Sequence, residues 1–250
     1  MHERTGPANH SRTILEIAGL SKSFGSVRAA DNIVLAVRKG EALGIIGPNG
    51  AGKSSLFNLI TGDLKPDAGA VRLNGADITR ASPHQRCRAG IARSYQIPHP
   101  FENLTVFENL LVGAAYGQNK AEADVTDYCA DVLERTGLMH RANAVAGSLT
   151  LLERKRLELA RALATAPDLL LLDEIAGGLT EGEISELVAT IRAINAGGTT
   201  IVWIEHIVIA LLAVVGRLVV LNFGRKLAEG DPHSVMNSRE VREIYTGIEA

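Results

Sequence analysis

The 250-residue sequence predicts an α/β fold with a helical block inserted into it, and three features carry that expectation. Apolar runs of strand length alternate with helix-period segments toward both ends of the chain. Between them, from Thr105 to Ala166, the periodicity is helical. A glycine-rich octapeptide, Gly47-Pro-Asn-Gly-Ala-Gly-Lys-Ser54, separates one apolar run from a helical pattern.

The elements follow in order. Ile14–Leu20, Asn32–Val37 and Glu41–Ile46 read as short β segments, divided by Gly25 and by Lys39-Gly40. Ser55–Ile60 is helical, and Gly62-Asp63 and Asp67-Ala-Gly69 are turn signals. Ser82-Pro83 starts a helix that Gly90 stops, and Ile91–Ser94 is a strand. Thr105–Ala115, Asp124–Gly137 and Thr150–Ala166 repeat apolar residues at three-and-four spacing, until Pro167 ends the last of them. Leu169–Leu172 and Thr199–Ile204 read as buried strands with the helix Glu181–Ala193 between them. Leu218–Leu221 and Lys226–Ala228 flank the hairpin turn Asn222-Phe-Gly224. The longest apolar stretch, Ile207–Val215, falls far short of the roughly 20 residues of a spanning helix and is expected as a buried core helix.

Residues 1–13 are polar and lack the apolar core of a secretory signal, so they read as an extension on one domain spanning 14–250. The helical subdomain is expected at about 98–166. Lys and Arg number 26 against 28 Asp and Glu, a net charge of −2 with no long block of one sign, which gives no sign of a nucleic-acid partner. Cys87 and Cys129 fit no metal or redox spacing and are expected as free thiols in a reducing compartment, which points to the cytoplasm.

The octapeptide is the phosphate-cradling pattern G-x-x-x-x-G-K-[ST] in its strand–loop–helix context. Gly47, Gly50 and Gly52 let successive amides turn toward phosphate oxygens, and the helix that follows offers its positive end. Lys53 adds a point charge at the β- and γ-phosphates, and Ser54 offers a hydroxyl to Mg²⁺. The cofactors expected are therefore a nucleoside triphosphate and Mg²⁺, with Gly47, Asn49, Gly50, Ala51, Gly52, Lys53, Ser54 and Ser55 around the phosphates. Leu169-Leu-Leu-Leu-Asp173-Glu174 delivers two carboxylates to the carboxyl edge of a sheet. Asp173 suits the metal, and Glu174 suits the polarisation of an attacking water.

With Gln96 in Ala92-Arg-Ser-Tyr-Gln96 and His206 in Trp203-Ile-Glu-His206, these motifs stand in the order found in one family. From about residue 14 onward the chain resembles the ATP-binding subunits of ABC transporters. The resemblance implies a P-loop NTPase of ABC type with an antiparallel β subdomain and an inserted helical subdomain. It implies that Gln96 touches the metal and attacking water, that His206 contacts the γ-phosphate, and that Phe24 lies against adenine.

Two segments depart from the family pattern. Leu149-Thr-Leu-Leu-Glu153 replaces the signature Leu-Ser-Gly-Gly-Gln, whose serine and glycine meet the nucleotide of the opposite subunit. Thr150 keeps a hydroxyl. Glu153 either places negative charge beside that nucleotide or, in a Thr150-x-x-Glu153 capping box, turns back onto its own helix. In Ile175-Ala-Gly-Gly-Leu-Thr-Glu181, Thr180 stands where the family has Asp or Asn, and Ile175 replaces a usual proline.

Gly90–Gln96, Phe101–Leu110, Leu157–Arg161 and the tail Leu221–Gly230 are similar to subunits of branched-chain amino acid importers. That resemblance implies a second ATPase subunit in a heterodimer, two membrane permease subunits docking around Ile97–Asn109, and a periplasmic solute-binding protein. It places the chain at the inner face of the membrane and makes it an ATPase driving uptake of branched-chain or related amino acids or amides. The alternatives are an exporter ATPase of the lipopolysaccharide-transport kind and a binding-only regulatory subunit.

Overall fold

The structure is a computed structural model that describes residues 13–246. Along the chain, β1 (Thr13–Phe24), β2 (Val27–Arg38) and β3 (Ala42–Ile46) precede helix α1 (Lys53–Thr61). Then come β4 (Ala68–Leu73), β5 (Ala76–Asp77), α2 (Pro83–Arg88) and β6 (Ile91–Ser94). Helices α3 (Val106–Gln118), α4 (Glu122–Arg135) and α5 (Leu151–Ala164) form the central block. The chain returns through β7 (Leu169–Asp173), α6 (Glu181–Ala196), β8 (Thr200–Ile204) and α7 (Val208–Leu212). The hairpin β9 (Arg217–Asn222) and β10 (Arg225–Gly230) leads to α8 (Pro232–Asn237) and α9 (Arg239–Thr246).

Two sheets result. A four-stranded antiparallel sheet runs β2-β1-β4-β5, and a six-stranded sheet runs β10-β9-β3-β8-β7-β6, parallel except for its β10 edge. The continuous apolar runs of β3, β7 and β8 follow from burial on both faces. Alternation then divides each strand between two cores. Leu170, Leu172 and Trp203 face the core built with α3–α6, whereas Leu169, Leu171, Val202 and Ile204 face α1 and the antiparallel sheet. Helix α1 is thereby held between the two sheets through Leu56, Phe57, Leu59 and Ile60.

At the far end of α1, Arg86 is 1% exposed. It donates to the carbonyls of Leu59 (2.7 Å), Ile60 (2.9 Å), Thr79 (2.8 Å) and Ala81 (3.0 Å). A cation on the last carbonyls suits the negative end of a helix.

Three expectations are corrected. Thr13 belongs to β1 rather than to the polar extension, whose residues 1–12 lie outside the described residues, as do 247–250. The glycine at Asp67-Ala-Gly69 is not a turn. Gly69 has φ +89, and a Cβ there would stand 2.4 Å from the Gly19 carbonyl oxygen, so it marks close approach of β4 to β1. The apolar stretch Ile207–Val215 forms only the short α7, which buries Ala210 and Leu211 and leaves Ile209 85% exposed. Among the described residues no helix is long and apolar enough to cross a membrane.

Replacing Arg86 by Met keeps an unbranched chain but removes the donors to four carbonyls. Urea unfolding of Arg86→Met is expected to show a loss of about 3 kcal/mol, with the denaturant slope unchanged.

Candidate nucleotide-binding site

β3 runs directly into the glycine-rich loop, and the loop into α1. Helices α3, α5 and α6 satisfy their own N-termini with capping boxes. Helix α1 does not: Gly52 brings no side chain to its N-terminus, and no acidic residue stands in its first turn. Its leading amides remain for an external anion.

The loop is fixed by backbone contacts on both sides. A Cβ on Gly52 (φ +99) would meet the Ala29 carbonyl oxygen of β2 at 2.2 Å, and one on Gly47 would meet the Leu221 carbonyl oxygen of β9 at 2.3 Å. In the β9–β10 turn, the Gly224 amide donates to the Ala51 carbonyl at 3.0 Å, and the Gly224 carbonyl accepts from the Asp31 amide at 2.8 Å. Lys53 folds over the loop and donates to the carbonyls of Gly47 (2.7 Å) and Pro48 (3.1 Å). Burial lowers its pKa, and the nearby Glu174 and Asp173 oppose that shift.

Asn49, Gly50, Ala51, Gly52, Lys53, Ser54 and Ser55 line a groove of about 320 Å³, together with Phe24, Val27, Ala29 and Glu174. Phe24 is half-exposed, with the Lys22 ammonium 5.6 Å from its ring centre. Gly47, Asp173, Gln96 and His206 do not line the groove itself.

The neighbouring strands β6, β7 and β8 bring Gln96, Glu174 and His206 to one edge. Gln96 Nε2 donates to Glu174 Oε2 at 2.7 Å, and His206 Nδ1 lies 3.6 Å from the same oxygen. Glu174 adopts a left-handed backbone (φ 45), anchored by its amide donating to the Ile204 carbonyl at 2.8 Å. Such strain in a non-glycine residue is characteristic of functional positions. Asp173 is buried, and its Oδ2 accepts from Arg93 Nη2 at 2.5 Å.

Thr150 and Glu153 lie away from this groove, at the N-terminus of α5. The Glu153 carboxylate accepts from the Thr150 amide (2.8 Å) and stands 3.1 Å from Arg141 Nε, while Thr150 Oγ1 accepts from the Glu153 amide (3.3 Å). The capping box is therefore formed. Thr180 is likewise engaged with Glu183 at the start of α6, and Ile175 is buried in the core.

Sequence reasoning missed three charged residues. Glu205 is fully buried and accepts from the amides of Ala176 (3.1 Å) and His206 (2.9 Å), tying the segment after Glu174 to the histidine. Lys155 of α5 is buried and donates to the Gln96 carbonyl at 2.5 Å. Arg93 pairs with Asp173. Their signal was present as charge inside apolar surroundings, but nothing in the sequence identifies the partners.

Among the described residues no group of three or more His, Cys, Asp or Glu side chains is arranged to hold a metal ion. A donor set of one buried carboxylate and a hydroxyl, completed by phosphate oxygens and water, fits Mg²⁺ rather than a metal bound in an all-protein cage.

A phosphate-cradling loop at an uncapped helix end, facing acids at the carboxyl edge of a parallel sheet, defines a P-loop nucleoside triphosphatase. The ABC transporter family model matches residues 30–177; the chain belongs to this family of ATP-binding proteins and is an ATPase. It is 34% identical to the high-affinity branched-chain amino acid transport ATP-binding protein BraF of Pseudomonas aeruginosa, over 95% of this chain and 99% of that protein. It is 36% identical to the corresponding protein LivG of Escherichia coli, with the same two coverages, 95% and 99%. Among solved structures it is similar to the ADP conformation of MJ1267, an ATP-binding cassette of an ABC transporter. The TM-score is 0.86 and the identity 33%, over 94% of this chain and 99% of that one.

Gly52→Ala is expected to abolish ATP uptake in calorimetry, because the methyl group collides with backbone that has no room to move. Gly25→Ala serves as control. Its φ is also positive, at +58, but none of the described residues lies within 4 Å of an added Cβ, so it should cost about 1 kcal/mol of stability and leave affinity intact.

Proposed function

We propose that this chain is one of two ATPase subunits of an importer for branched-chain or related amino acids or amides. In this reading it lies on the cytoplasmic face of the membrane against two permease subunits, which a periplasmic binding protein supplies with solute. The observation that carries its ATPase role is the convergence of Gln96, Glu174 and His206 beside the phosphate loop. The likeness to BraF and LivG over nearly the full chain supports the solute class.

The residues divide the work. Lys53 exchanges the carbonyls of its own loop for phosphate oxygens, and the α1 amides take the rest of the charge. Phe24 offers its exposed face to the base. Ser54, Asp173 and Gln96 would hold Mg²⁺, which neutralises charge on the β- and γ-phosphates. Glu174 takes the proton of the attacking water, Gln96 orients that carboxylate and the water, and His206 reaches the γ-phosphate. A cleft of about 340 Å³ lies among α2, β6, α3 and α5, lined by Tyr95 next to Gln96 and by Arg161. This cleft and the neighbouring exposed Ile97 and Phe101 suit the docking of a permease loop.

A heterodimer divides its two sites unequally. Glu153 is committed to capping α5, and Leu151, 46% exposed, stands where the family pattern has glycine. The site that α5 closes, which holds the partner's nucleotide, then acts mainly as a clamp. Turnover falls to the site built on this chain's Lys53 and Glu174.

In the reconstituted complex, Glu174→Gln should lower ATP turnover at least about 100-fold while ATP binding persists. The equivalent substitution in the partner should leave most turnover in place. The reverse pattern would refute this division, and solute-stimulated turnover across a panel of amino acids and amides tests the solute class.

A further inference from the structure

Arg93 is a charged residue in the four-residue strand β6, with its side chain 8% exposed. Nη2 donates to Asp173 Oδ2 at 2.5 Å and Nη1 to Asn58 Oδ1 at 2.6 Å. The guanidinium sits 5.5 Å from the Phe57 ring centre and 5.0 Å from that of Tyr95. Asp63 stands 3.9 Å from Nη1. One side chain thus joins the helix bearing the phosphate loop, the strand leading to Gln96 and the strand ending in Asp173.

Stability alone is a weak reason for this arrangement. A buried ion pair gains little over apolar residues of similar volume, and Arg93 Nε is buried without a partner among the described residues. Geometry is the stronger reason. A planar guanidinium held by ring contacts and by Asn58 fixes the direction from which it grips a carboxylate, which a lysine ammonium cannot do. With Oδ2 of Asp173 taken, Oδ1 is left available to a metal.

We propose that Arg93 is a positioning residue for the metal-holding carboxylate. It pins Asp173 Oδ2 so that Oδ1 is presented to the Mg²⁺ that accompanies ATP, and through Asn58 it keeps that carboxylate in register with the helix carrying Ser54. The inference rests on the reading of Asp173 as a metal-holding residue given above.

The test is ATP binding by the purified full chain, measured by calorimetry first in EDTA and then across a Mg²⁺ titration. Mn²⁺ serves as a paramagnetic probe of the metal's surroundings. Arg93→Lys keeps the charge and loses the fork, whereas Asn58→Ala cuts only the second arm. Arg93→Lys should raise the Mg²⁺ midpoint about tenfold, the lower end of what removal of a ligand's supporting partner costs. Asn58→Ala should raise it about threefold, and both should alter the Mn²⁺ spectrum. Affinity for ATP in EDTA should stay within about twofold of the parent for both variants, because the phosphate loop is untouched.

A lowered melting temperature with an unmoved Mg²⁺ midpoint in both variants would make Arg93 a structural staple and overturn the proposal. An equal loss of affinity with and without metal would also overturn it, since Arg93 would then be supporting the loop. If Arg93→Lys fails to fold, Asn58→Ala decides between these outcomes. Asp173→Asn separates the two layers of inference: a parental Mg²⁺ midpoint in that variant would remove the metal reading of Asp173, and this proposal with it.

Discussion

Helix α1 can receive a triphosphate only if its first amides open into the groove with nothing of the protein's own in front of them. That condition is met by contacts between backbones. The loop is wedged between the Ala29 carbonyl of β2 and the Leu221 carbonyl of β9, at distances that admit no side chain on Gly52 or Gly47. The Gly224 bonds then latch the turn of one sheet to the loop and to the edge strand of the other. At the opposite end, Arg86 holds the α1 carbonyls. The helix is therefore gripped at both ends and buried along its length, which leaves its N-terminus as its polar opening.

Around that opening, charge is balanced by buried and partly buried groups of opposite sign. Lys53, Arg93 and Lys155 are set against Asp173, Glu174 and Glu205, and each pairing crosses from one motif to another. Lys155 ties the Gln96 carbonyl to α5, while Glu205 ties His206 to the segment that follows Glu174. A shift of the helical block therefore bears on Gln96 directly, through one short hydrogen bond in a low-dielectric setting where such bonds are strong.

The phosphate loop and the acidic strand were legible in the sequence because their chemistry is local: glycines, a lysine and a hydroxyl in eight residues, and two acids after four leucines. The buried strands at Leu169–Leu172 and Thr199–Ile204 were legible because burial on both faces leaves unbroken apolar runs. The strand β4 was not. Gly69 looks like turn chemistry and serves instead to let two strands approach, a tertiary fact that no local pattern encodes. The stretch at Ile207–Val215 misled for the opposite reason. Its apolar content suggested burial, yet α7 has room on the core for only one face and leaves Ile209 in solvent. Arg93, Lys155 and Glu205 were visible as charges, but their partners lie 80, 59 and 29 residues away in the chain.

The treatment of helix starts divides labour across the molecule. An N-terminus carries partial positive charge that a side chain of the protein, water or a ligand can meet. At α3, α5 and α6 the protein meets it, with Thr105 and Glu108, Thr150 and Glu153, and Thr180 and Glu183. At α1 it leaves the charge unmet. A carboxylate already seated at the start of α5, with Arg141 beside it, competes with any phosphate brought to that helix from outside, because both seek the same amides. The same capping chemistry that makes α5 a well-formed helix thus makes it a poor anion receptor, whereas α1, which has no capping side chain, is the better one.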